Sequence, residues 1–315
     1  MLISIAIPCY RSALTLPSVV SEIKEEFAKH PGYEYEIILV NDGSPDNTFD
    51  IIREICSEDS NVIGVNLSRN FSQANAKMAA LQYVSGENLV YMDDDGQHPA
   101  DGIFKLVDKI AEGYDVAYAH FVSKKTSAFK VVTSDLNGKI LEKLGVKPAG
   151  IKTSSFIAWS RFAIEKAKLY HSPSPSTSSY LLRVTSKFAD VEMEQRKRIA
   201  GESGYSLKKL IALAVQGYTN FTIVPLRIAD YVGAATALVG LVYGLILIIR
   251  KLCGADLEMG YTSIMAGMLI IGGMLMMMLG LLGEYVGRIY MLLSDTPQYM
   301  VREVINIGKT DNSDE

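Results

Sequence analysis

The first part of the chain alternates short apolar runs with segments of helical spacing, and this alternation restricts its fold more than any other feature. The apolar runs LISIAIP, YEIILVND and NVIGVNL, and a fourth that ends at Met92, predict strands. Between them, residues 16–28, 47–57 and 72–84 repeat apolar side chains at helical spacing. Such βαβ repetition predicts an α/β domain with a mostly parallel sheet and helices on both faces.

Polar residues follow three of the predicted strands, and we expect them to meet. Pro8 and Tyr10 end the first strand, Asp42 and Ser44 follow the second, and an acidic run at 93–95 follows the fourth. Ligands of open parallel sheets bind beyond the carboxyl ends of the strands, so these residues would line one crevice. The sequence has no G-x-G-x-x-G and no P-loop lysine motif, which argues against a dinucleotide enzyme or an ATPase.

The acidic run, Asp93, Asp94 and Asp95, comes directly after an apolar strand and is followed by Gly96 and Pro99. We predict a turn and then a helix with proline at its first position. Strand alternation would place the first and third acids on one side. Two carboxylates about 5 Å apart repel by roughly 3 kcal/mol at an effective dielectric of about 20, so a cation or open water must lie beside them. Both a Mg²⁺ or Mn²⁺ site and a solvated acidic turn fit this pattern.

Two long apolar stretches lie in the second part of the chain. Residues 228–249 contain Asp230 as their only charge, and residues 262–283 contain none. The hydrophobic content is 49% and the mean hydropathy +0.16. About 20 apolar residues suffice to cross a bilayer, so we predict two transmembrane helices, with buried helices of a soluble domain as the alternative. Basic residues lie mainly outside the pair, which predicts cytoplasmic termini and an external connection at 250–261.

Five sequence blocks carry a resemblance to a known family. They are IPCY, VNDGSPDNT, LSRNFSQANAKMAAL, MDDDGQHP, and RIAGESGYSLKKLIALAVQGYTNFTIVPLR. In this order they resemble the GT-A glycosyltransferases of family 2, in the membrane-anchored branch of bactoprenol glucosyltransferases and dolichyl-phosphate mannose synthases. The resemblance implies a GT-A (Rossmann-like) catalytic domain over 1–204. Helical spacing of apolar residues after Gly204 predicts an amphipathic juxtamembrane segment at 205–227, and a cytoplasmic C-terminal segment at 284–315 follows the two predicted spans. The amphipathic segment lies either in the membrane interface or against the catalytic domain.

The resemblance also implies which residues bind the nucleotide. Pro8, Tyr10, Asp42 and Ser44 would contact the base and ribose, and Asp93 would meet the nucleoside sugar or the metal. A turn residue without a ligand is the alternative for Asp42, because it lies in the turn sequence NDGS.

The family pattern implies the chemistry of the acidic turn. Asp95, with Asp93, would hold the Mg²⁺ or Mn²⁺ ion that bridges the donor diphosphate. Gln97 would face the sugar or the acceptor, as a catalytic residue together with the two acids and Arg198. His98 either enters the following helix or orients a substrate.

The family pattern also implies which residues would hold the acceptor phosphate. These are Lys130, Ser134, Asn137 and Arg198, of which the first three would share one side of a helix. Lysine at 130 replaces the arginine usual in relatives, which turns a bidentate phosphate clamp into a point charge. A solvated helix face is the alternative for Lys130.

The implied function is inverting transfer of one sugar from a nucleotide sugar, with a UDP-sugar favoured over GDP-mannose, to undecaprenyl or another polyprenyl phosphate. The acceptor would lie in the cytoplasmic leaflet of the inner membrane, with the chain as a multi-pass protein. The family contains tetramers, which implies a homo-oligomer, and the net charge of −4 does not favour nucleic acid. Three alternatives stay open: a processive polysaccharide synthase, a catalytically silent relative that binds nucleotide or lipid as an assembly partner, and a small transport component.

Overall fold

A computed structural model describes residues 1–121, 148, 150–172, 175, 177–194, 196, 224–253, 260–294 and 297–306. The chain divides into two compact units. The first contains Met1–Tyr205 together with Thr296–Glu315, and the second contains Ser206–Asp295.

Eight strands of the first unit form one sheet. They are β1 (Leu2–Cys9), β2 (Glu34–Asn41), β3 (Val62–Leu67), β4 (Asn88–Tyr91), β5 (Val116–Phe121), β6 (Ile157–Ser160), β7 (Phe188–Met193) and β8 (Val301–Ile305). Their order is β7-β5-β6-β4-β1-β2-β3-β8. The pairs β1–β2, β1–β4, β2–β3 and β5–β7 are parallel, whereas β6 runs antiparallel to β4 and β5, and β8 to β3. The predicted α/β fold with a mostly parallel sheet is confirmed.

Helices cover both faces of this sheet. They are α1 (Leu16–Ala28), α2 (Thr48–Glu58), α3 (Gln73–Leu81), α4 (Gly102–Ala111), α5 (Arg161–Lys168) and α6 (Thr177–Val184). Side chains of α1, α2 and α4 pack in one buried cluster, and those of α3, α5 and α6 in another. Strand alternation sends Ile3, Ile5 and Ile7 into the first cluster and Ala6 into the second.

The helix after the acidic run begins at Gly102, so the prediction that Pro99 takes its first position is wrong. Two short turns precede it, in which the Gly102 amide donates to the carbonyl oxygen of Pro99 and the Ile103 amide to that of Ala100. A Cβ atom at Gly102 would lie 2.7 Å from the ring of Phe156. Glycine at the first helical position therefore leaves room for the Phe156 ring, a contact that the position of the proline does not reveal.

The C-terminal residues return to the first unit, which the sequence did not predict. Strand β8 pairs along the open edge of β3, and Arg53 forms an ion pair with Glu303 at 2.6 Å. Beyond the strand, the side-chain amide of Asn306 donates to the carbonyl oxygens of Cys56 at 2.5 Å and Val62 at 3.1 Å. Covering the edge strand removes a row of unpaired backbone groups from solvent.

Two long helices make up the described part of the second unit. They are α7 (Val224–Leu252) and α8 (Tyr261–Leu293), and they include the stretches predicted as membrane spans. The helices touch where a Cβ atom at Gly233 would lie 2.8 Å from Met278. Of the described residues, one segment, Ile270–Met291, is long and apolar enough to cross a membrane by length and composition. Two spans and their orientation stay predictions.

Candidate active site

The carboxyl ends of β1, β2 and β4 lie side by side at one edge of the sheet. Pairing sets Cys9 opposite Asn41 and Ala6 opposite Tyr91. Strand β6 runs the other way, so Ser155, two residues before it, reaches the same edge. The polar clusters that follow these strands are thereby brought together.

The end of β1 is joined to the loop after β2. Pro8 is buried within the strand opposite Val40, whereas Tyr10 lies just beyond the strand and is 45% exposed. The guanidinium group of Arg11 lies 5.6 Å from the Tyr10 ring centroid, and the Arg11 amide donates to Ser44 Oγ at 3.1 Å. An exposed aromatic ring and a hydroxyl group therefore lie together at this edge of the sheet, which we call the rim.

Asp42 is buried behind this rim, and it is 3% exposed. Its carboxylate accepts hydrogen bonds from the amides of Phe71 at 2.7 Å and Ser72 at 3.0 Å. Burial raises the pKa of Asp42, and these two hydrogen bonds oppose the shift. The next residue, Gly43, has φ of 60°, and a Cβ atom there would lie 2.3 Å from the backbone of Arg69. Asp42 thus fixes the start of α3, and its contact with a nucleotide stays a prediction.

Asp93 is held by donors from two other segments. Gln73 Nε2 donates to its Oδ1 at 2.9 Å, and Ser155 Oγ donates to its Oδ2 at 2.6 Å. One turn after Gln73 on α3, Lys77 Nζ lies 3.5 Å from the carbonyl oxygen of Ser155. Burial lowers the pKa of Lys77, and the negative charge of Asp93 opposes this shift. The carboxylate keeps acceptor capacity for a ligand, because two of its lone pairs are used here.

Asp94 is directed back to the end of β1. Its Oδ2 accepts hydrogen bonds from the Tyr10 amide at 3.3 Å and from the hydroxyl of Ser12. Burial raises the pKa of Asp94, and the Ser12 hydrogen bond opposes the shift. This acid therefore joins the β1–α1 loop to the acidic turn.

Asp95 and Gln97 form the outer half of the turn. Asp95 Oδ1 accepts the Gln97 amide at 3.0 Å, and Gly96 between them has φ of 74°. Gln97 also pairs with the backbone of Arg196, since its Nε2 donates to the Arg196 carbonyl at 3.3 Å and its own carbonyl accepts the Arg196 amide at 3.2 Å. The turn is thus joined to the segment that leads towards Arg198.

His98 closes the acidic turn from inside the domain. Its Nδ1 accepts the amide of Asp93 at 3.0 Å, and its ring stacks on Phe156 at 4.8 Å and on Phe121 at 5.5 Å between centroids. Burial lowers the pKa of His98, and the negative charge of Asp93 opposes this. His98 is 2% exposed, so its ring is better placed to support the acidic turn than to contact a substrate.

The residues predicted to hold the acceptor phosphate, Lys130, Ser134, Asn137 and Arg198, lie outside the described residues. Their assignment stays a prediction.

Sequence reasoning missed Gln73, Lys77 and Ser155. The first two carried a usable signal, because they are polar residues four apart in a segment of helical spacing otherwise rich in alanine. Ser155 carried none, because its position depends on a reversed strand that the sequence did not predict.

Oxygen side chains of the acidic turn fit a hard cation such as Mg²⁺ or Mn²⁺. Asp94 is engaged with the β1–α1 loop, which leaves Asp93 and Asp95 as the acids that could bind it. No group of three or more His, Cys, Asp and Glu side chains stands ready to hold a metal within the part of the chain described. This arrangement fits an ion held by one or two carboxylates and completed by water and substrate phosphates.

A profile described as glycosyl transferase family 2 matches residues 4–167, more than half of the chain. The chain belongs to glycosyl transferase family 2. A second profile, described as the GtrB C-terminal hairpin, matches residues 224–289. Both units of this glycosyl transferase family 2 member therefore have counterparts among known proteins.

Relatives within glycosyl transferase family 2 match almost the whole chain. A prophage bactoprenol glucosyl transferase homolog of Escherichia coli is 31% identical over 96% of this chain and 99% of its own. An undecaprenyl-phosphate 4-deoxy-4-formamido-L-arabinose transferase of Shewanella sediminis is 33% identical over 96% of this chain and 92% of its own. These relatives identify the polyprenyl-phosphate branch of glycosyl transferase family 2.

Solved structures share the fold of the first unit. Glucosyl-3-phosphoglycerate synthase from Mycobacterium tuberculosis, in complex with Mn²⁺, uridine diphosphate and phosphoglyceric acid, has a TM-score of 0.51 and 20% identity, and the match covers 69% of this chain and 76% of that one. Mannosyl-3-phosphoglycerate synthase from Rubrobacter xylanophilus has a TM-score of 0.50 and 16% identity, covering 69% and 72%.

Proposed function

We propose that this member of glycosyl transferase family 2 transfers one sugar from a nucleotide sugar to a polyprenyl phosphate at a membrane. One observation carries the proposal. Hydrogen bonds join the loops after β1 and β2, the start of α3 and Ser155 to the acidic turn at one edge of the sheet, in a chain that is similar over 96% of its length to named bactoprenol and undecaprenyl-phosphate transferases.

The nucleotide would bind at the rim formed by β1 and β2. Tyr10 offers an exposed ring for stacking on a base, and the nearby Ser44 hydroxyl can bond to the base or ribose. We favour a UDP-sugar because of the resemblance to bactoprenol glucosyl transferases. Asp42 supports this end indirectly, since it fixes the loop that begins α3.

Asp95 and Asp93 would hold the divalent cation. When bound, Mg²⁺ or Mn²⁺ stabilises negative charge on the departing nucleoside diphosphate. The hydrogen bonds from Gln73 and Ser155 keep the Asp93 carboxylate in one orientation, so little reorganisation is needed when the donor binds.

In the reaction, an oxygen of the acceptor phosphate forms a bond to the anomeric carbon while the bond from that carbon to the diphosphate oxygen breaks. Attack from the opposite face inverts the configuration. A phosphate monoester has a second pKa near 6, so it is largely ionised at neutral pH and needs positioning more than a general base. Gln97 and Arg198 would contribute on the acceptor side, together with Lys130, Ser134 and Asn137.

The lipid acceptor requires a catalytic domain held close to a bilayer. We propose that α7 and α8 span the inner membrane and that the catalytic domain and both termini lie in the cytoplasm. The apolar segment Ile270–Met291 supports this for α8, and the GtrB C-terminal hairpin match supports it for the pair. A homo-oligomer, as in related tetramers, belongs to the same proposal.

A transfer assay tests the function. Membranes that contain the protein are incubated with labelled UDP- and GDP-sugars and undecaprenyl phosphate, and the label extracted by chloroform is counted. We expect one donor to label the lipid, Asp95→Ala to abolish labelling, and the exposed-site control Asp108→Ala to retain it. Donor binding without product would indicate a silent assembly partner, and labelled polymer would indicate a processive synthase. Full turnover of the Asp95→Ala variant would refute the cation assignment.

A further inference from the structure

A lysine lies beside the acidic turn, on the same helix as a donor to Asp93. Gln73 and Lys77 are four residues apart on α3, so they share one face of it. Gln73 bonds directly to Asp93, and Lys77 reaches the same acid through Ser155, which bonds to both residues. The helix thereby carries one neutral donor and one positive charge towards one acid.

The position of Lys77 is set by its surroundings. Its Nζ lies 3.5 Å from the Ser155 carbonyl oxygen and 5.3 Å from the centroid of the Tyr91 ring, within the range of a cation–π contact. The Tyr91 hydroxyl donates to the Lys77 carbonyl at 2.9 Å, which anchors this part of the helix to β4. Ser155 links the pair, because its hydroxyl binds Asp93 while its carbonyl accepts from Lys77.

The electrostatic consequence follows from the sign of the charges. The three acids of the turn attract a divalent cation, and the ammonium group of Lys77, held on the Ser155 residue that binds Asp93, repels it. The repulsion weakens binding of the free cation, whereas a donor diphosphate adds negative charge and further oxygen ligands. Such a balance favours a cation that binds and leaves together with the nucleotide.

We propose that Lys77 is the built-in counter-charge of the acidic turn and that it sets how tightly the turn binds a divalent cation. Lys77 is then a positioning residue that acts through Asp93. The inference rests on the proposed cation site at Asp93 and Asp95, and it adds a residue that tunes this site.

Calorimetric titration of the purified full-length protein with Mn²⁺, without nucleotide, tests the inference directly. Lys77→Met removes the charge but keeps an unbranched side chain. We expect Mn²⁺ to bind at least tenfold more tightly, because a unit charge within about 10 Å of a divalent cation repels it by more than the tenfold equivalent at an effective dielectric of about 20. Lys105→Met is the matched control, because Lys105 is an exposed lysine on α4 that pairs with Asp101. The Lys105→Met variant should bind Mn²⁺ with the affinity of the wild type. Unchanged or weaker binding by Lys77→Met would overturn the inference.

A stability cycle separates this inference from the proposed cation site. If the wild type binds no Mn²⁺, the cation assignment fails, and the pairing of Lys77 with Asp93 is decided by thermal midpoints. Asp93→Asn and Lys77→Met should each lower the midpoint, and the double variant should lower it by less than the sum, because both charges leave together. Additive shifts would overturn the pairing, even if the transfer assay succeeds.

Discussion

Asp94 lies between two proposed metal ligands in the sequence, but its structural role differs from theirs. Its Oδ2 accepts both the Tyr10 amide and the Ser12 hydroxyl. Because the two donors share one oxygen, the amide oxygen of Asn can accept both, and the methyl group of Ala can accept neither. We therefore expect Asp94→Asn to preserve the β1–α1 loop and Asp94→Ala to release it.

The expected loss can be estimated from these two contacts. Hydrogen bonds to a charged group contribute about 1.5–3 kcal/mol each. Burial of the charged carboxylate costs free energy, as the raised pKa of Asp94 indicates. Removing the carboxylate also removes this cost, so part of the loss is offset. We expect Asp94→Ala to lower the free energy of unfolding by about 2 kcal/mol and the thermal midpoint by about 4–8 °C. Asp94→Asn should stay within about 1 kcal/mol of the wild type.

The pH dependence gives a second measurement on the same variants. Because the pKa of Asp94 is raised above 3.8 in the folded protein, the folded state keeps a proton that the unfolded state loses just above that pH. The contribution of Asp94 to the free energy of unfolding therefore falls as pH rises from 3.8 through the raised pKa of the folded state. The asparagine of the Asp94→Asn variant does not titrate. We therefore expect the free energy of unfolding of the variant to increase relative to that of the wild type from about pH 4 upward.

Thermal unfolding in detergent and the lipid transfer assay together decide the role of Asp94. We expect Asp94→Asn to keep most of its turnover and Asp95→Asn to lose it. If Asp94→Asn loses transfer as completely as Asp95→Asn, while remaining folded, the structural role assigned to Asp94 is refuted and the residue is a ligand.

Three further predictions concern the frame around the site. Gly43→Ala should lower the free energy of unfolding by about 2 kcal/mol or more, because a Cβ atom meets facing backbone at 2.3 Å and φ is 60°; an unchanged midpoint would contradict this. Asn306→Ala removes hydrogen bonds to three carbonyl oxygens and should speed hydrogen exchange in β8, and equal exchange rates would count against a role for this residue. Exposed Cys253 should react with iodoacetamide in the folded protein. Cys9 and Cys56 should react only after unfolding, because burial raises the pKa of both thiols, to about 11 for Cys56.

The central sheet could be predicted from the sequence because its strands and helices have distinct periods. Continuous apolar runs such as the one in β1 mark strands buried on both faces, and the 16–28 segment repeats at helical spacing. The order of the outer strands could not be predicted. The pairing of β6 reverses direction, and β8 comes from beyond the two long helices, so both depend on contacts between residues distant in the chain.

The candidate site shows the same division. The residue types at 42 and 93–95, and their place after strands, follow from the sequence, because side chains at the carboxyl ends of parallel strands share one edge. The direction of each carboxylate does not follow. Asp42 bonds to the start of α3, Asp93 to α3 and to Ser155, and Asp94 to the end of β1. Only the tertiary structure decided these directions, because each is set by a donor from another segment.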